Sequence, residues 1–158
     1  MKSKSYVVIA VTAFGTFGCN TSRDITLQSG TRTDYVVGQH YQLKKPVFLF
    51  KHDRTDSREV PKLDRIGSAG TPQNLDEFLR SASFDPHVVG LLVPGDQVRV
   101  TKITEHTSPT MGKFLDVLGV ISSGDNVGRV VELSLISEEG LPSCSVFVSP
   151  EYLVPVKK

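Results

Sequence analysis

The 158-residue chain carries 18 lysines and arginines against 17 aspartates and glutamates, a formal net charge of +1. That balance supplies neither the basic field that nucleic-acid binding needs nor an acidic tail. Tryptophan is absent, which argues against a surface that stacks on sugar rings, while a hydrophobic fraction of 39% is enough for one sizeable core.

The chain opens MKSKSYVVIAVTAFGTFGC. Lys2 and Lys4 form a positive head, Tyr6 to Phe14 is apolar apart from Thr12, and Gly15 to Gly18 supplies small residues. A buried strand would also suit YVVIAV, but the order charged, apolar, small is the layout of a secretory signal peptide over residues 1–18. The run is far shorter than the roughly 20 residues that cross a bilayer, so a permanent spanning helix is not expected.

The end of this segment, TFGC, resembles the lipobox of bacterial lipoproteins, with Gly18 and Cys19 at the two positions that pattern shares most strictly and Thr16 and Phe17 departing from it. The resemblance implies cleavage before Cys19, lipid attachment to the Cys19 thiol, and an anchor in the cell envelope. Three acyl chains at roughly 0.8 kcal/mol per buried methylene would hold a domain at the membrane firmly. Asn20 follows the cysteine, where an aspartate retains enterobacterial lipoproteins in the inner membrane. The resemblance therefore implies the outer membrane, facing the periplasm. Thr16 and Gly18 also fit ordinary secretory cleavage, which would make the protein soluble and secreted.

Loss of residues 1–18 removes Lys2 and Lys4 and leaves 16 basic against 17 acidic side chains. Cys144, the other cysteine, lies in SCSVFVS between apolar alternations and reads as a core thiol. It could pair with Cys19 only if Cys19 is not acylated. Residues 19–34 are polar, with Ile25 and Leu27 as the apolar exceptions, and read as the attachment cysteine plus a tether. Residues 35–158 then form a single β-rich domain.

Within it, Tyr35 to Leu43 and Pro46 to Lys51 read as strands, and residues 52–70 as a long charged loop expected to be mobile. TPQNLDEFLRSA predicts a short helix, with Thr71 as cap, Pro72 in the first turn, and Leu75, Phe78, Leu79 and Ala82 on the face that packs on a sheet. Pro94–Gly95–Asp96 is a turn. It is followed by alternation over Gln97 to Ile103, with Val98, Val100 and Ile103 inward. KFLDVLGVI and RVVELSLIS form a hairpin through SSGDNVG, EEGLP turns the chain, and CSVFVSPEYLVPV supplies two short extended pieces. About seven short strands and one short helix predict a mainly β fold, a small twisted barrel or a sandwich. Gly95–Asp96 entering a strand and Pro150–Glu151–Tyr152–Leu153 leading into the last one resemble the Src-homology-3-like barrel over residues 91–156. That resemblance implies a fold but no peptide recognition, because the paired aromatics and tryptophan of that groove are missing. Tyr152 is expected to pack, with its hydroxyl at the rim.

No catalytic spacing stands out. His40, His52, His87 and His106 have no metal-site partners at helical spacing, residues 67–72 (GSAGTP) lack the lysine of a phosphate loop, and Asp125 and Asn126 lack the ligand density of a calcium loop. No metal, cofactor or catalytic residue is therefore expected. The leading reading is a non-enzymatic envelope lipoprotein, bound to the membrane through its lipid, whose domain binds or braces another envelope component. The bacterial relatives of the barrel imply a peptidoglycan-binding module instead. A small secreted hydrolase would draw on His52 with Asp53, or His106 with Glu105.

Overall fold

The computed structural model describes residues 21–26, 32–52, 59–66, 76–77, 87–110, 112–140 and 145–157. The first strands are β1 (Thr21–Asp24), β2 (His40–Leu43), β3 (Val47–Phe50), β4 (Lys62–Arg65) and β5 (Val88–Leu92). Two long ones follow, β6 (Gln97–Ser108) and β7 (Gly112–Ile121). The chain ends in β8 (Val130–Glu132), a 3-10 turn at Ser134–Ile136, β9 (Glu138–Gly140), β10 (Ser145–Phe147) and β11 (Leu153–Pro155). The protein is mainly β, as the alternating apolar pattern requires.

Nine strands make one mixed sheet in the order β11-β2-β6-β7-β8-β4-β3-β5, with β1 also paired to β6; β9 and β10 form a separate antiparallel pair. Two connections carry the chain between strands that are not neighbours in the sheet. Lys44 to Pro46 carries the chain from β2, beside β6, to β3, between β4 and β5. Val93 to Asp96 carries it from β5 to β6. The core includes Tyr41, Leu43, Leu49, Leu63, Leu92, Val98, Ile103, Val117, Val131 and Leu133. Strand β3, between β4 and the edge strand β5, is buried on both faces. Val47 and Leu49 point to the main core, while Phe48 on the other side packs with Val88, Ile66 and Leu91. A run of four apolar residues, VFLF, is what such a strand needs.

The longest ladder joins β6 and β7, and it shows why Ile103 faces inward. Val98 and Val100 point to the core, so strict alternation would send Lys102 there next. A register shift between Val100 and Lys102 inserts one residue. The phase flips, Ile103 is buried, and Lys102 turns out to meet Asp24 at 3.7 Å.

The sheet is not closed into a barrel, contrary to the closure that the second half suggested. The outer edge of β5 is instead met by side chains from the loop between β7 and β8. Asn126 Nδ2 donates to the Leu91 carbonyl at 2.9 Å, and the Arg129 guanidinium donates to the Val89 carbonyl at 3.1 Å. Each of these carbonyls receives a side-chain donor where a ladder would supply an N–H. These bonds also blunt a sheet edge that would otherwise template association. Asn126→Ala is expected to cost about 1 kcal/mol by urea unfolding and to raise amide exchange in β5 selectively. Unchanged exchange in β5 would show that the edge needs no such cover.

Other expectations are corrected locally. Residues 21–25, read as part of a free tether, belong to the sheet. β1 pairs antiparallel with β6, the Ile25 N–H donates to Ile103 O at 3.0 Å, and the Ile25 side chain is buried. A four-residue strand with all side chains exposed carries no apolar alternation, so only the partner strand reveals it. The run from Tyr35 is a strand only from His40, because the chain turns at Val37–Gly38, where Gly38 takes φ +87°. Lys62–Arg65, placed in the charged loop, is an interior strand between β3 and β8, and Leu63 is fully buried. Glu138–Gly140, expected as a turn, is a strand. Of the helix predicted near residues 71–82, only Asp76 and Glu77 are described, and both are helical.

Candidate functional site

Cys19 and Cys144 both lie outside the described residues, as do Asp53 and residues 67–72. What the fold places is the strand that follows Cys19 in the chain. β1 begins at Thr21, two positions after Cys19, and its register sets Thr21 opposite Thr107, Ser22 opposite His106 and Arg23 opposite Glu105. The chain therefore enters the sheet at the end where the β6–β7 hairpin turns, through Pro109 and Thr110.

Charged groups gather at this end on both faces of the sheet. Glu105 and His106 are successive residues of one strand, so they point to opposite faces. Glu105 shares its face with Leu115 and binds the Arg32 guanidinium, with the Lys113 ammonium 3.6 Å away. His106 lies on the other face, where Nε2 is 2.8 Å from an Asp116 carboxylate oxygen and the ring stacks on Phe114 with centroids 5.1 Å apart. The acid–base pair that the sequence offered, His106 with Glu105, is thus not brought together. His106 has an aspartate ten positions away instead, and only the β6–β7 register could reveal that partner.

The remaining histidines are dispersed. His40 Nδ1 is 3.1 Å from Ser122 Oγ at the far end of the sheet. His87 lies between Phe50 and His52, at centroid distances of 5.5 and 6.3 Å, and the His52 backbone N–H donates to the Glu59 carboxylate at 2.7 Å. Among the described residues no group of three or more His, Cys, Asp or Glu is placed to hold a metal ion.

Tyr152 packs against the core, as its place before β11 suggested, and its ring has the Lys45 ammonium at 5.6 Å and the Arg65 guanidinium at 5.4 Å from its centroid. Lys45 also pairs with Glu151. These contacts tie the turn before β11 to the turn after β2, consistent with a packing role for Tyr152. Tyr35 was not singled out in the sequence. It is almost wholly buried, and its hydroxyl lies 2.7 Å from Ser137 Oγ, which itself donates to the Leu133 carbonyl at 2.7 Å. With the serine proton so used, Tyr35 is the donor. Burial pushes its pKa well above the ordinary tyrosine range, against the smaller opposing effect of the Ser137 hydrogen bond, so it stays a neutral donor.

The carboxylates set the response to acid. For Glu105, burial alone would raise the pKa, but the Arg32 hydrogen bond and the Lys113 charge outweigh it and hold the carboxyl below its usual 4.5. The Lys45 hydrogen bond does the same for Glu151, and the Thr26 backbone N–H, ahead of Lys102, for Asp24. In each case the unfolded chain takes up its proton at a higher pH than the folded one. The contribution is therefore complete above the unfolded values of 4.5 and 3.8 and is lost as pH falls through the lower folded values. Melting temperature should fall as pH drops below about 4.5, and less steeply in Arg32→Gln. A melting temperature that stays constant between pH 5 and 3 would contradict this assignment.

No protein-family model matches the chain, and neither a curated protein nor a solved structure does. No helix among the described residues is long and apolar enough to cross a membrane.

Proposed function

We propose that the protein is a lipid-anchored component of a bacterial cell envelope, acylated at Cys19, whose β-rich domain acts without catalysis by binding or bracing another envelope component. The observation that carries this reading is the order of the first nineteen residues: a lysine head, a short apolar run, and Gly18–Cys19. Two features of the fold support it. The sheet starts at Thr21, so cleavage before Cys19 would leave every described strand in place. Among the described residues, Glu105 and His106 are engaged in pairs with Arg32 and Asp116.

The missing tether narrows the partner. A 16-residue extended tether would reach about 55 Å, whereas the two residues from Cys19 to Thr21 span at most about 7 Å. A domain held that close favours a partner in the same membrane, or one that approaches it, over distant cell wall. The test is metabolic labelling with palmitate. Wild-type protein should incorporate label and Cys19→Ser should incorporate none. Wild-type protein that is cleaved before Cys19 yet carries no label is a soluble secreted protein, and the proposal fails.

A further inference from the structure

Strands β11, β2, β6, β7 and β8 lie side by side, and their side chains Leu153, Tyr41, Val98, Ile121 and Val131 are all buried in the core. The residues that alternate with these along the strands therefore form one outer face. We propose that this face, centred on Arg99 of β6, docks an acidic segment of a partner protein, with a partner carboxylate seated on the Arg99 guanidinium. The proposal rests on the reading that the domain binds another envelope component.

Charge matching singles out Arg99. Its side chain is exposed, and among the described residues none makes a hydrogen bond, ion pair or ring contact with it. Other cations on this side of the sheet have partners. Lys102 lies 3.7 Å from Asp24, His106 Nε2 is 2.8 Å from Asp116, and Lys62 is 3.4 Å from Glu132. Those carboxylates are thereby taken. Arg99 keeps a planar fork that suits an incoming carboxylate, which it can hold through two parallel hydrogen bonds. Its cross-strand neighbours are His40 on β2 and Val120 on β7. The Ser122 hydroxyl holds the His40 ring at Nδ1, 3.1 Å away, which leaves Nε2 as a second polar group beside the guanidinium.

The flanks select the class of partner. In the row of Arg99, Val120 is followed by Val130 of β8, which is 44% exposed. In the next row, Gln97 and Gln42 lead to Val154 of β11, which is 41% exposed. An arginine with apolar side chains on both flanks is the anatomy of a protein contact, in which the covered apolar groups exclude water from the charged anchor. Five strands about 4.8 Å apart make a face about 19 Å across, room for about six residues of an extended segment. A small molecule would need a concave site. A glycan strand would need rings to stack on, whereas the chain has no tryptophan and both rows end in valine.

The test is photo-crosslinking from the face itself, in cells that make the full-length protein with its own signal. The probe, p-benzoylphenylalanine, replaces Val154 or Val130 on the face, or Leu135 in the 3-10 turn off it, all of them exposed. Each variant is purified and checked for fold by circular dichroism, and cross-linked peptides are sequenced. The expected result is that the probes at Val154 and Val130 capture a protein segment containing aspartate or glutamate, and the probe at Leu135 does not. Adding Arg99→Glu should lower the yield about tenfold by repelling the partner carboxylate. Arg99→Lys, which keeps the charge but loses the fork, should lower it less. Capture from Leu135 but not from the face overturns the docking face while the binding reading stands. So does capture of glycan or lipid from the face, or a yield that Arg99→Glu leaves unchanged. No capture from any of these positions overturns the docking proposal, and palmitate labelling of the same cells shows whether the anchor falls with it.

Discussion

Leu133→Ala should lower the stability of the domain by about 3 kcal/mol and its melting temperature by roughly 10 °C. Leu133 is fully buried at the point where three parts of the chain meet. Its N–H donates to Val117 O of β7 at 2.9 Å, and its carbonyl accepts from the Ile136 N–H at 3.1 Å and from the Ser137 hydroxyl at 2.7 Å. Those bonds belong to the backbone and survive the substitution. The surroundings are thereby pinned and cannot collapse into the space that the leucine leaves. A cavity that cannot relax costs more than the transfer of the missing methylenes alone. Since domains of this size are stable by some 5–15 kcal/mol in all, a loss of 3 is a large share. Urea unfolding of wild type and variant measures it. A change under about 1 kcal/mol would mean that the site repacks and that the pinning described here is absent.

Gly119→Ala is the second large effect, and it acts by overfilling. Gly119 lies on the inner face of β7, between Val117 and Ile121. A Cβ there would lie 2.5 Å from Val98 Cγ1 and 3.1 Å from both the Arg99 carbonyl oxygen and Leu133 Cδ1. The valine is held in the core of β6, and the carbonyl is part of the ladder that joins β6 to β7, so the neighbours must shift together. The expected cost is about 1–3 kcal/mol, the range for added methylenes in a packed core. Val98→Ala alone should also destabilise, by opening a void. The double variant Gly119→Ala/Val98→Ala should be more stable than the sum of the two predicts, because each change relieves the other. Additive losses in a double-mutant cycle would show that the valine is not the obstacle.

These two positions illustrate how differently residues announce themselves. Leu133 lies in an apolar run that any reading would assign to a buried strand, and it is buried, although the strand ends at Glu132 and a 3-10 turn follows. Gly119 interrupts KFLDVLGVI without comment, since nothing nearby in sequence tells that Val98 of another strand occupies the space of its side chain. The same contrast holds for the charged residues. His106 and Glu105 are neighbours along the chain and looked like a pair, yet a strand sends neighbours to opposite faces. Their partners, Asp116 and Arg32, come from register and loop placement.

The sequence by itself determined the class of fold, the inward positions Val98, Val100 and Ile103, and the anchor expectation. All three rest on local physics: alternation at period two, β-branched and aromatic runs, turn residues, and the linear order of charge, apolar run and cysteine. The tertiary structure decided the rest. It drew Thr21–Asp24 into the sheet, placed Lys62–Arg65 inside it, supplied the register shift in β6 that lets Ile103 face inward with Val98 and Val100, and left the β5 edge to Asn126 and Arg129 instead of a closing strand. Neither Thr21–Asp24 nor Lys62–Arg65 carries a sufficient apolar pattern of its own. Each is stabilised by backbone hydrogen bonds and side-chain donors from residues distant in the chain, and such bonds depend on which strand lies alongside, a relation that no local window of sequence contains.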